Sequence, residues 1–425
     1  MAFRPETPLD GAGDTSLARP PARKDELRRP SVSIALAILA LSIAWGAGAP
    51  ETATAERRVD PFVVAAGDIA CQPPWTTPAT SRKDASCHED ATAAMFATGG
   101  RLSGPKLRGI LPLGDLQYVS GRLDEFTYAD DDCSIVPPHG TAPCSFDASW
   151  GSAASRPALE LSDVPLFPTP GNHEYEIGSA TCRLAKLTGS AEPYNACGYN
   201  DYFGDRVAAP RASRNGDGRG SYFFRFDTEG PHPILFVSLN VGQCERNHSK
   251  CDETSRTVSF LRRTLASPET NPAEGCTVVY YHQPAWDAYD HGDIDYVRPI
   301  WQTMLGAELG RARRPDLVLN GHNHLYERYE PLDVDGRTGT GGPAIPQITV
   351  GTGGRDVAHL PQTPPETAAS PPAAVDVSHF GLLKVSWSPE HGRITASYHR
   401  EGDPVPFDPV TYRCRGAGLS TGDVG

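Results

Sequence analysis

The chain has 425 residues, of which 39% are hydrophobic, and a net charge of −13. This length and apolar content allow a buried core in one large or two medium domains, and 42 glycines with 40 prolines predict many turns rather than an all-helical protein. The negative charge argues against nucleic acid or an anionic membrane surface as a stable partner.

The N-terminus has the pattern of an export signal. Basic residues precede an apolar stretch over 32–45, and small residues follow, of which 53–55 best fit a cleavage site. We therefore predict a signal peptide and disordered leader over 1–55, one folded domain over 56–415 and a flexible tail over 416–425. Because the apolar stretch is shorter than the ~20 residues of a spanning helix, we expect secretion to an extracellular or periplasmic space. An uncleaved membrane anchor is the alternative.

Short apolar runs rich in β-branched residues predict strands that are buried on both faces. In chain order they lie at 61–66, 110–113, 164–167, 234–239, 277–281, 317–319, 348–350, 382–387 and 394–398. Helices are predicted at 88–98, 254–266 and 295–311, and long loops at 120–163, 176–232 and 355–378, the last of them mobile. Strands that alternate with helices predict an α/β layered domain, with sheets inside and helices outside.

Ten cysteines support export, because disulfides persist in oxidising compartments. Their even number and their polar, loop-rich surroundings predict disulfides. The local pairs that we expect are Cys71–Cys87, Cys133–Cys144, Cys182–Cys197 and Cys244–Cys251, which leaves Cys276 and Cys414 to join distant segments. A zinc site built from thiolates is the alternative, but the chain has no CxxC spacing.

Several predicted strands are followed by residues that bind hard metal ions. The motifs are Gly67-Asp68, Gly114-Asp115 with Tyr118, Gly171-Asn172, the lone His282, and Gly321-His322 with His324. The carboxyl ends of strands in an open α/β sheet meet at one edge, so donors far apart in sequence converge there. Two carboxylates, a phenol, an amide oxygen and three imidazoles suffice to hold two metal ions. Such a pair generates hydroxide and clamps an oxyanion, which indicates phosphoryl transfer.

These motifs resemble those of the calcineurin-like metallophosphoesterases, and most closely their purple acid phosphatase branch, over residues 60–400. The run GHNHLYER at 321–328 fits the GHxHxYER pattern of that branch. Tyr118 stands where the branch has a tyrosine ligand, and the first motif has no histidine of the DxH type. The chain departs from the branch at Ala70, where the pattern has glycine, and too few residues precede the first motif for the N-terminal β-domain of the plant enzymes.

The resemblance implies a layered α-β-β-α sandwich with mixed sheets and a dimetal site at the carboxyl ends of the strands. It implies Fe(III) and a second ion that is Zn, Fe or Mn. The ligands would be Asp68, Asp115, Tyr118 and His324 for the first ion, and Asp115, Asn172, His282 and His322 for the second. His173 and His291 are expected to bind phosphate or to protonate the leaving group, and Glu174 to orient a neighbour.

The resulting expectation is a secreted, acid phosphatase-like hydrolase with residues 56–415 as its catalytic domain. It would hydrolyse small phosphate monoesters by attack of a metal-bound hydroxide. A phosphodiesterase or nucleotidase with the same centre is the alternative, because the loops that decide substrate choice differ in length from those of the branch. Two other classes of protein are disfavoured. A non-catalytic binding protein with this fold would have lost metal ligands, and a structural surface protein would have a repetitive sequence.

Taken singly, some of these residues have ordinary structural explanations. A lone histidine such as His282 is usually structural, and Tyr118 alone would be a core aromatic residue. Because both residues occur together with the other motifs, a metal-binding role is favoured for both. His291 lies in a polar Asp-His-Gly turn, where an exposed histidine is equally ordinary.

Overall fold

The structure is a computed structural model that describes residues 59–73, 87–128, 145–154, 164–176, 196–204, 215–217, 220–227, 230–289, 291–358, 367 and 369–415. The predicted leader over 1–55, the tail over 416–425 and the pair Cys133–Cys144 lie outside these residues and stay predictions. The predicted domain boundaries likewise stay predictions.

The strands, in chain order, are β1 (Phe62–Ala66), β2 (Leu107–Pro112), β3 (Tyr222–Phe226), β4 (Ile234–Ser238), β5 (Cys276–Tyr280), β6 (Leu317–Asn320), β7 (Tyr326–Arg328), β8 (Gln347–Val350), β9 (Ala374–Asp376), β10 (Gly381–Ser388), β11 (Arg393–Arg400) and β12 (Phe407–Arg413). The α-helices are α1 (Glu89–Phe96), α2 (Leu123–Phe126), α3 (Ser152–Ala154), α4 (Cys197–Phe203), α5 (Arg256–Ala266), α6 (Arg298–Leu305) and α7 (Gly310–Arg313). Shorter turns are a π-helical turn at Asp147–Gly151 and 3-10 turns at His173–Tyr175, His248–Lys250 and Asp295–Val297.

The strands form two mixed sheets. The first has the order β12-β11-β10-β1-β2, and the second has the order β3-β4-β5-β6-β8-β7-β9. Strands β1 and β2 are parallel, as are β4, β5, β6 and β8, whereas the other neighbours are antiparallel. Strands β1, β4, β5, β6 and β8 are buried along their whole length, which explains why they are continuous apolar runs in the sequence.

The two sheets pack face to face, and helices cover their outer faces. Trp387 of β10 lies 5.4 Å from Phe226 of β3 and 6.1 Å from Phe236 of β4, measured between ring centroids. On the opposite face of the second sheet, Leu261 of α5 and Trp301 of α6 join a separate apolar cluster with side chains of β4, β5 and β6. The buried face of α1 joins the core of the first sheet. The predicted α-β-β-α sandwich is confirmed.

Local sequence explains where helices α5 and α6 begin or end. The Ser255 side chain caps α5 by accepting a hydrogen bond from the backbone N–H of Val258 at 3.2 Å. The predicted helix at 254–266 is therefore confirmed, with its start shifted to the residue after the cap. The predicted helix at 295–311 is instead divided, because α6 ends before Gly306 and α7 begins only at residue 310.

Four strands were missed by sequence analysis. Strands β3 and β9 lie inside the predicted loops at 176–232 and 355–378, and the predicted loops at 120–163 and 176–232 also contain α2, α3 and α4. Strand β7 has only three residues, too few for a periodic pattern. Strand β12 is an edge strand that is nowhere fully buried, and it contains Pro409. Proline at an edge is compatible with a sheet, but it removes the sequence signal of a strand.

The predicted strand at 164–167 is wrong as a continuous strand. It runs beside β2 through isolated bridges only, at Leu166 and Thr169. Pro165, Pro168 and Pro170 interrupt the ladder, because proline has no N–H to donate.

Three of the predicted disulfides are confirmed, namely Cys71–Cys87, Cys244–Cys251 and Cys276–Cys414. Cys197 is also disulfide-bonded, and its predicted partner Cys182 lies outside the described residues. Cys71, Cys87 and Glu89 are grouped closely enough to suggest a metal site, but the disulfide removes both thiolates. Within the described part of the chain, no helix is both long and apolar enough to cross a bilayer.

Candidate metal centre

Turns after four strands deliver predicted ligands to one edge of the two sheets. Asp68 and Asp115 follow β1 and β2 of the first sheet, while His282 and His322 follow β5 and β6 of the second. Three of these residues have left-handed backbone, with φ of 59° at Asp68, 48° at Asp115 and 76° at His322. Such conformations are unfavourable for residues with a side chain and cluster at functional sites. The surrounding fold therefore holds these side chains against a local backbone preference.

Asp68, Tyr118 and His324 form the first group of donors. The Tyr118 hydroxyl lies 2.8 Å from Asp68 Oδ1 and 3.1 Å from His324 Nε2. His324 Nε2 lies 3.3 Å from the same Asp68 oxygen. Asp68 and Tyr118 are buried, whereas the His324 side chain is 22% exposed. The three donors thus face one another at the bottom of an opening to solvent.

Asp115, His282 and His322 form the second group, and their ligand atoms all lie within 4.8 Å of one another. Asp115 Oδ2 lies 3.1 Å from His282 Nε2, and that nitrogen lies 3.3 Å from His322 Nδ1. Asp115 Oδ2 also lies 3.1 Å from the Tyr118 hydroxyl. A single carboxylate oxygen therefore contacts both groups, which is the position that a bridging ligand requires.

Asn172 reaches the second group because its turn approaches Asp115 closely. A Cβ atom at Gly171 would lie 2.1 Å from Asp115 Oδ1, so only glycine fits there. The backbone N–H of His173 donates to the same oxygen at 2.9 Å. The Asn172 side-chain oxygen accepts from the Gln283 amide at 3.3 Å. All seven predicted ligands are therefore brought to one place.

The charges of the second group depend on one another. Burial alone would raise the pKa of Asp115, but His282 and the other nearby imidazoles outweigh burial and lower it. Burial also opposes a charge on His282, yet Asp115 raises the pKa of His282 to about 9. Burial and the charge of His282 lower the pKa of His322 well below its usual value. In the metal-free chain, protonated His282 therefore balances Asp115, and His322 offers a neutral nitrogen.

The first group has the same character. Burial, Asp115 and Asp68 raise the pKa of Tyr118 well above its usual value, so the phenol keeps its proton when no cation is bound. Burial opposes a charge on His324, but hydrogen bonds to Asp356 and Asp68 raise the pKa of His324 to about 10. In both groups, hard oxygen donors contact imidazole nitrogens, and protons on the imidazoles balance the carboxylates when no cation is bound. Such a donor set fits a pair of bound cations.

His173 lies beside the shared carboxylate. Its Nδ1 is 2.5 Å from the Val119 carbonyl oxygen, which fixes the proton on that nitrogen. Its Nε2 is 3.8 Å from Asp115 Oδ2, and its ring centroid is 4.3 Å from that of Tyr118. Burial opposes a charge on this ring, but Asp115 and the Val119 carbonyl raise the pKa of His173.

His291 lies on the other side, with its ring centroid 4.5 Å from that of His322. Its Nδ1 is 3.1 Å from Asn323 Oδ1. A cavity of about 570 Å³ opens above the site, and both His173 and His291 line it together with five of the predicted ligands. Asp68 and His282 are fully buried beneath. His173 and His291 thus both face the cavity above the donor groups.

Glu174 joins the motif loops that carry Asp115 and Asn172. Its Oε2 accepts from the backbone N–H groups of Gly171 at 2.7 Å and Asp115 at 3.0 Å, and its Oε1 accepts from those of Leu116 at 2.8 Å and Gln117 at 3.3 Å. The carboxylate is fully buried. The orienting role predicted for it is therefore exerted on backbone rather than on a ligand side chain.

Two carboxylates near the site were missed by sequence analysis. Asp356 hydrogen-bonds to Nδ1 of His324, and it lies in a glycine-rich stretch that contains no motif. Asp287 accepts from the backbone N–H groups of Tyr289, His291 and Gly292. Its only sequence signal is an aspartate that precedes a tight turn, which is common in loops.

No protein-family profile matches the chain. Purple acid phosphatase 21 of Arabidopsis thaliana is 23% identical over 296 residues, which cover 69% of this chain and 59% of that protein. Purple acid phosphatase 22 of the same plant is 24% identical over 294 residues, which cover 68% and 59%. The chain therefore spans 59% of the length of these curated relatives.

Among solved structures, purple acid phosphatase PPD1 from yellow lupin seeds matches with a TM-score of 0.49 and 16% identity, over 83% of this chain and 53% of that one. GAP50 of Plasmodium matches with a TM-score of 0.49 and 13% identity, over 84% and 89%. In sequence the chain is similar to the two purple acid phosphatases of Arabidopsis thaliana, and its motif set and converging donors resemble those of the calcineurin-like metallophosphoesterases.

Proposed function

We propose that the chain is a metal-dependent phosphatase that hydrolyses phosphate monoesters at a dimetal centre. The observation that carries this proposal is the position of Asp115. Its Oδ2 atom lies 3.1 Å from the Tyr118 hydroxyl and 3.1 Å from His282 Nε2, so one oxygen belongs to both donor groups. Phosphoryl-transfer sites with two metals hold their ions side by side, and one ligand oxygen that contacts both donor groups fits such a pair.

Asp68, Asp115, Tyr118 and His324 would hold Fe(III), and Asp115, Asn172, His282 and His322 would hold Zn, Fe or Mn. The assignment follows the softness of the donors, since the phenol lies in the first group and two of the three imidazoles lie in the second. When bound, the two cations would supply a hydroxide nucleophile at mildly acidic pH and neutralise phosphate charge. The buried carboxylates and imidazoles of the chain would fix the positions of the two cations.

His173 and His291 would act on the substrate from opposite sides of the cavity. His173 keeps a proton on Nδ1 through the Val119 carbonyl, and Asp115 favours a second proton on its Nε2. That second proton can pass to the leaving oxygen of the ester. His291, beside His322, would donate a hydrogen bond to a phosphate oxygen.

We also propose that the protein is exported. Disulfides at Cys71–Cys87, Cys244–Cys251 and Cys276–Cys414 support an oxidising compartment. The basic and apolar pattern of the N-terminus supports the same destination. Detection of the mature chain in the culture medium or periplasm, with a new N-terminus after the small residues at 53–55, would test this proposal.

The test of function uses the full chain purified with its metals. We expect two metal ions per chain, a violet charge-transfer band, and faster hydrolysis of an aryl phosphate monoester than of the matching diester. Tyr118→Phe should abolish the band. Asp115→Asn should lower turnover by at least about 10²-fold, because even partners outside the ligand set commonly contribute 10–100-fold.

Asp335→Asn is the matched control, since Asp335 is an exposed carboxylate, and it should leave metal content and turnover unchanged. Parental turnover in Asp115→Asn would contradict the bridging role. A colourless, iron-free but active protein would reject iron and keep the phosphatase. Preference for the diester would favour the phosphodiesterase alternative, and metal-loaded protein that hydrolyses neither ester would refute the proposed function.

A further inference from the structure

We infer that Asp356 is a positioning residue that orients His324 toward the first metal and strengthens the hold of that site on its cation. This inference rests on the proposed dimetal centre, and in particular on His324 as a ligand. It concerns a residue outside the seven predicted donors, and it assigns to that residue an effect on one metal of the pair rather than on both.

The two nitrogens of His324 have different partners. Nε2 faces the donors of the first group, 3.1 Å from the Tyr118 hydroxyl and 3.3 Å from Asp68 Oδ1. Nδ1 is hydrogen-bonded to Oδ1 of Asp356. An imidazole whose Nδ1 proton is donated to a carboxylate presents the lone pair of Nε2 to a metal. The contact therefore selects the tautomer that a ligand at this place needs.

The segment that carries Asp356 is tied to the same site by its backbone. The N–H of Arg355 donates to the carbonyl of Asp68 at 3.0 Å, and the N–H of Ala358 donates to the carbonyl of His324 at 2.6 Å. Asp356 is thus held between two predicted ligands of one metal. A surface aspartate that served only as an ion-pair partner for its neighbour would not need these two attachments.

An ion pair with Arg355 is the simpler explanation of Asp356. The shortest distance between those groups is 3.7 Å, which is longer than a hydrogen bond, whereas the contact with His324 is a hydrogen bond. The Arg355 guanidinium lies instead over the Tyr118 ring, 5.1 Å from its centroid, and donates to Gln72 at 3.1 Å. Asp356 therefore contacts the imidazole more closely than it contacts the guanidinium.

A comparison with His282 shows why this contact distinguishes the first site. His282 pairs its Nδ1 with a neutral acceptor, the backbone carbonyl of Leu113, at 2.8 Å. The nitrogen of His324 that faces away from the donors is therefore hydrogen-bonded to a carboxylate, whereas the corresponding nitrogen of His282 is hydrogen-bonded to a neutral carbonyl. Added negative charge favours the ion of higher charge, so loss of Asp356 should weaken the first metal more than the second.

The experiment compares Asp356→Ala and Asp356→Asn with the parent chain. Asn keeps an acceptor for the His324 Nδ1 proton but removes the charge, whereas Ala removes both. Each protein is stripped of metal and titrated with Fe(III) in the presence of a competing chelator, and the violet band reports occupancy of the first site. Zn(II) is then titrated into each protein after loading with Fe(III), so that it reports the second site. We expect 10–100-fold weaker Fe(III) binding in the Ala variant, a smaller loss in the Asn variant, and similar Zn(II) binding in all.

Asp403→Ala is the matched control. The side chains of Asp356 and Asp403 are 34% and 49% exposed, and Asp403 also lies 3.7 Å from an arginine, Arg400. The Asp403→Ala substitution removes an ion pair of the same length, so Fe(III) binding by this variant should match that of the parent. Denaturation midpoints are measured for every variant, so that a change in metal affinity is compared among folded proteins.

Fe(III) affinity of Asp356→Ala equal to that of the parent would overturn the inference while leaving the proposed function intact. Equal losses of Fe(III) and Zn(II) affinity would also overturn it, because a general loosening of the site would then explain the effect. A parent chain that binds no pair of metals would overturn the proposed function, and the inference with it.

Discussion

The Glu174→Gln substitution tests whether one buried carboxylate holds the metal-site loops together. Both oxygens of Glu174 accept two backbone N–H groups each, from Gly171 and Asp115 on one side and from Leu116 and Gln117 on the other. Glutamine has nearly the same shape, but it presents an oxygen on one side only. Its NH₂ group would face two N–H groups that have no other acceptor in this arrangement.

The magnitude follows from counting the donors that lose their acceptor. Each buried N–H without a partner costs about 1–3 kcal/mol, so two of them cost about 2–6 kcal/mol. Removal of a buried charge recovers part of this, because burial disfavours an ionised carboxylate. We therefore expect a net loss of about 2–3 kcal/mol in the free energy of unfolding, a large share of the ~5–15 kcal/mol of an ordinary protein.

The assay is urea denaturation of the metal-free chain, followed by metal analysis of the loaded chain. The midpoint should fall by about 1 M if the m-value is about 3 kcal/mol/M and unchanged. Metal content should also fall, since the two loops carry Asp115 and Asn172. Glu176→Gln is the control, because the ion pair of Glu176 with Arg246 is partly exposed at the surface and such a pair is worth at most about 1 kcal/mol. Equal midpoints and full metal loading in both variants would refute the reasoning.

Two further predictions concern the substrate side and the loading of the site. Asp287 accepts the N–H groups of Tyr289 at 2.9 Å, His291 at 2.5 Å and Gly292 at 2.8 Å, so Asp287→Asn should raise KM for an aryl phosphate about 10-fold by releasing the turn that holds His291. The same change should have little effect in a His291→Ala background, and equal effects in both backgrounds would contradict this role. In the metal-free chain the pKa of His282 is raised to about 9 and that of His324 to about 10, so both rings are protonated at pH 7. Metal binding should then release at least about two protons in weakly buffered solution, and affinity should fall as pH falls; binding without proton release would show that the rings were already neutral.

The donor residues could be predicted from sequence because local pattern encodes them. An apolar run such as that of β1 or β6 is buried on both faces, and the glycine that follows it permits a sharp turn toward a ligand. Asp68, Asp115 and His322 all occupy this position after a strand. The layered α/β class was predictable for the same reason, since strand length and apolar continuity are properties of neighbouring residues, whereas the α-β-β-α order of layers was implied by the family resemblance.

Edge strands escaped sequence analysis because their residues are only half buried. Strand β12 meets solvent along its length, and β3 contains residues of intermediate burial, so neither is a continuous apolar run. The segment at 164–167 failed in the opposite way. Its apolar residues predicted a strand, but the prolines between them permit only single bridges to β2.

The sequence by itself determined which potential metal donors follow the strands, because strand and turn patterns lie within a few neighbouring residues. Only the tertiary structure decided that Asp115 Oδ2 contacts both donor groups, that Glu174 supports the turn of Asp115, and that Asp356 lies behind His324. These contacts join segments that are distant along the chain, and they form only where two packed sheets bring their strand ends together. Local sequence preferences do not specify the distances between these segments, because the packing of the whole core sets them.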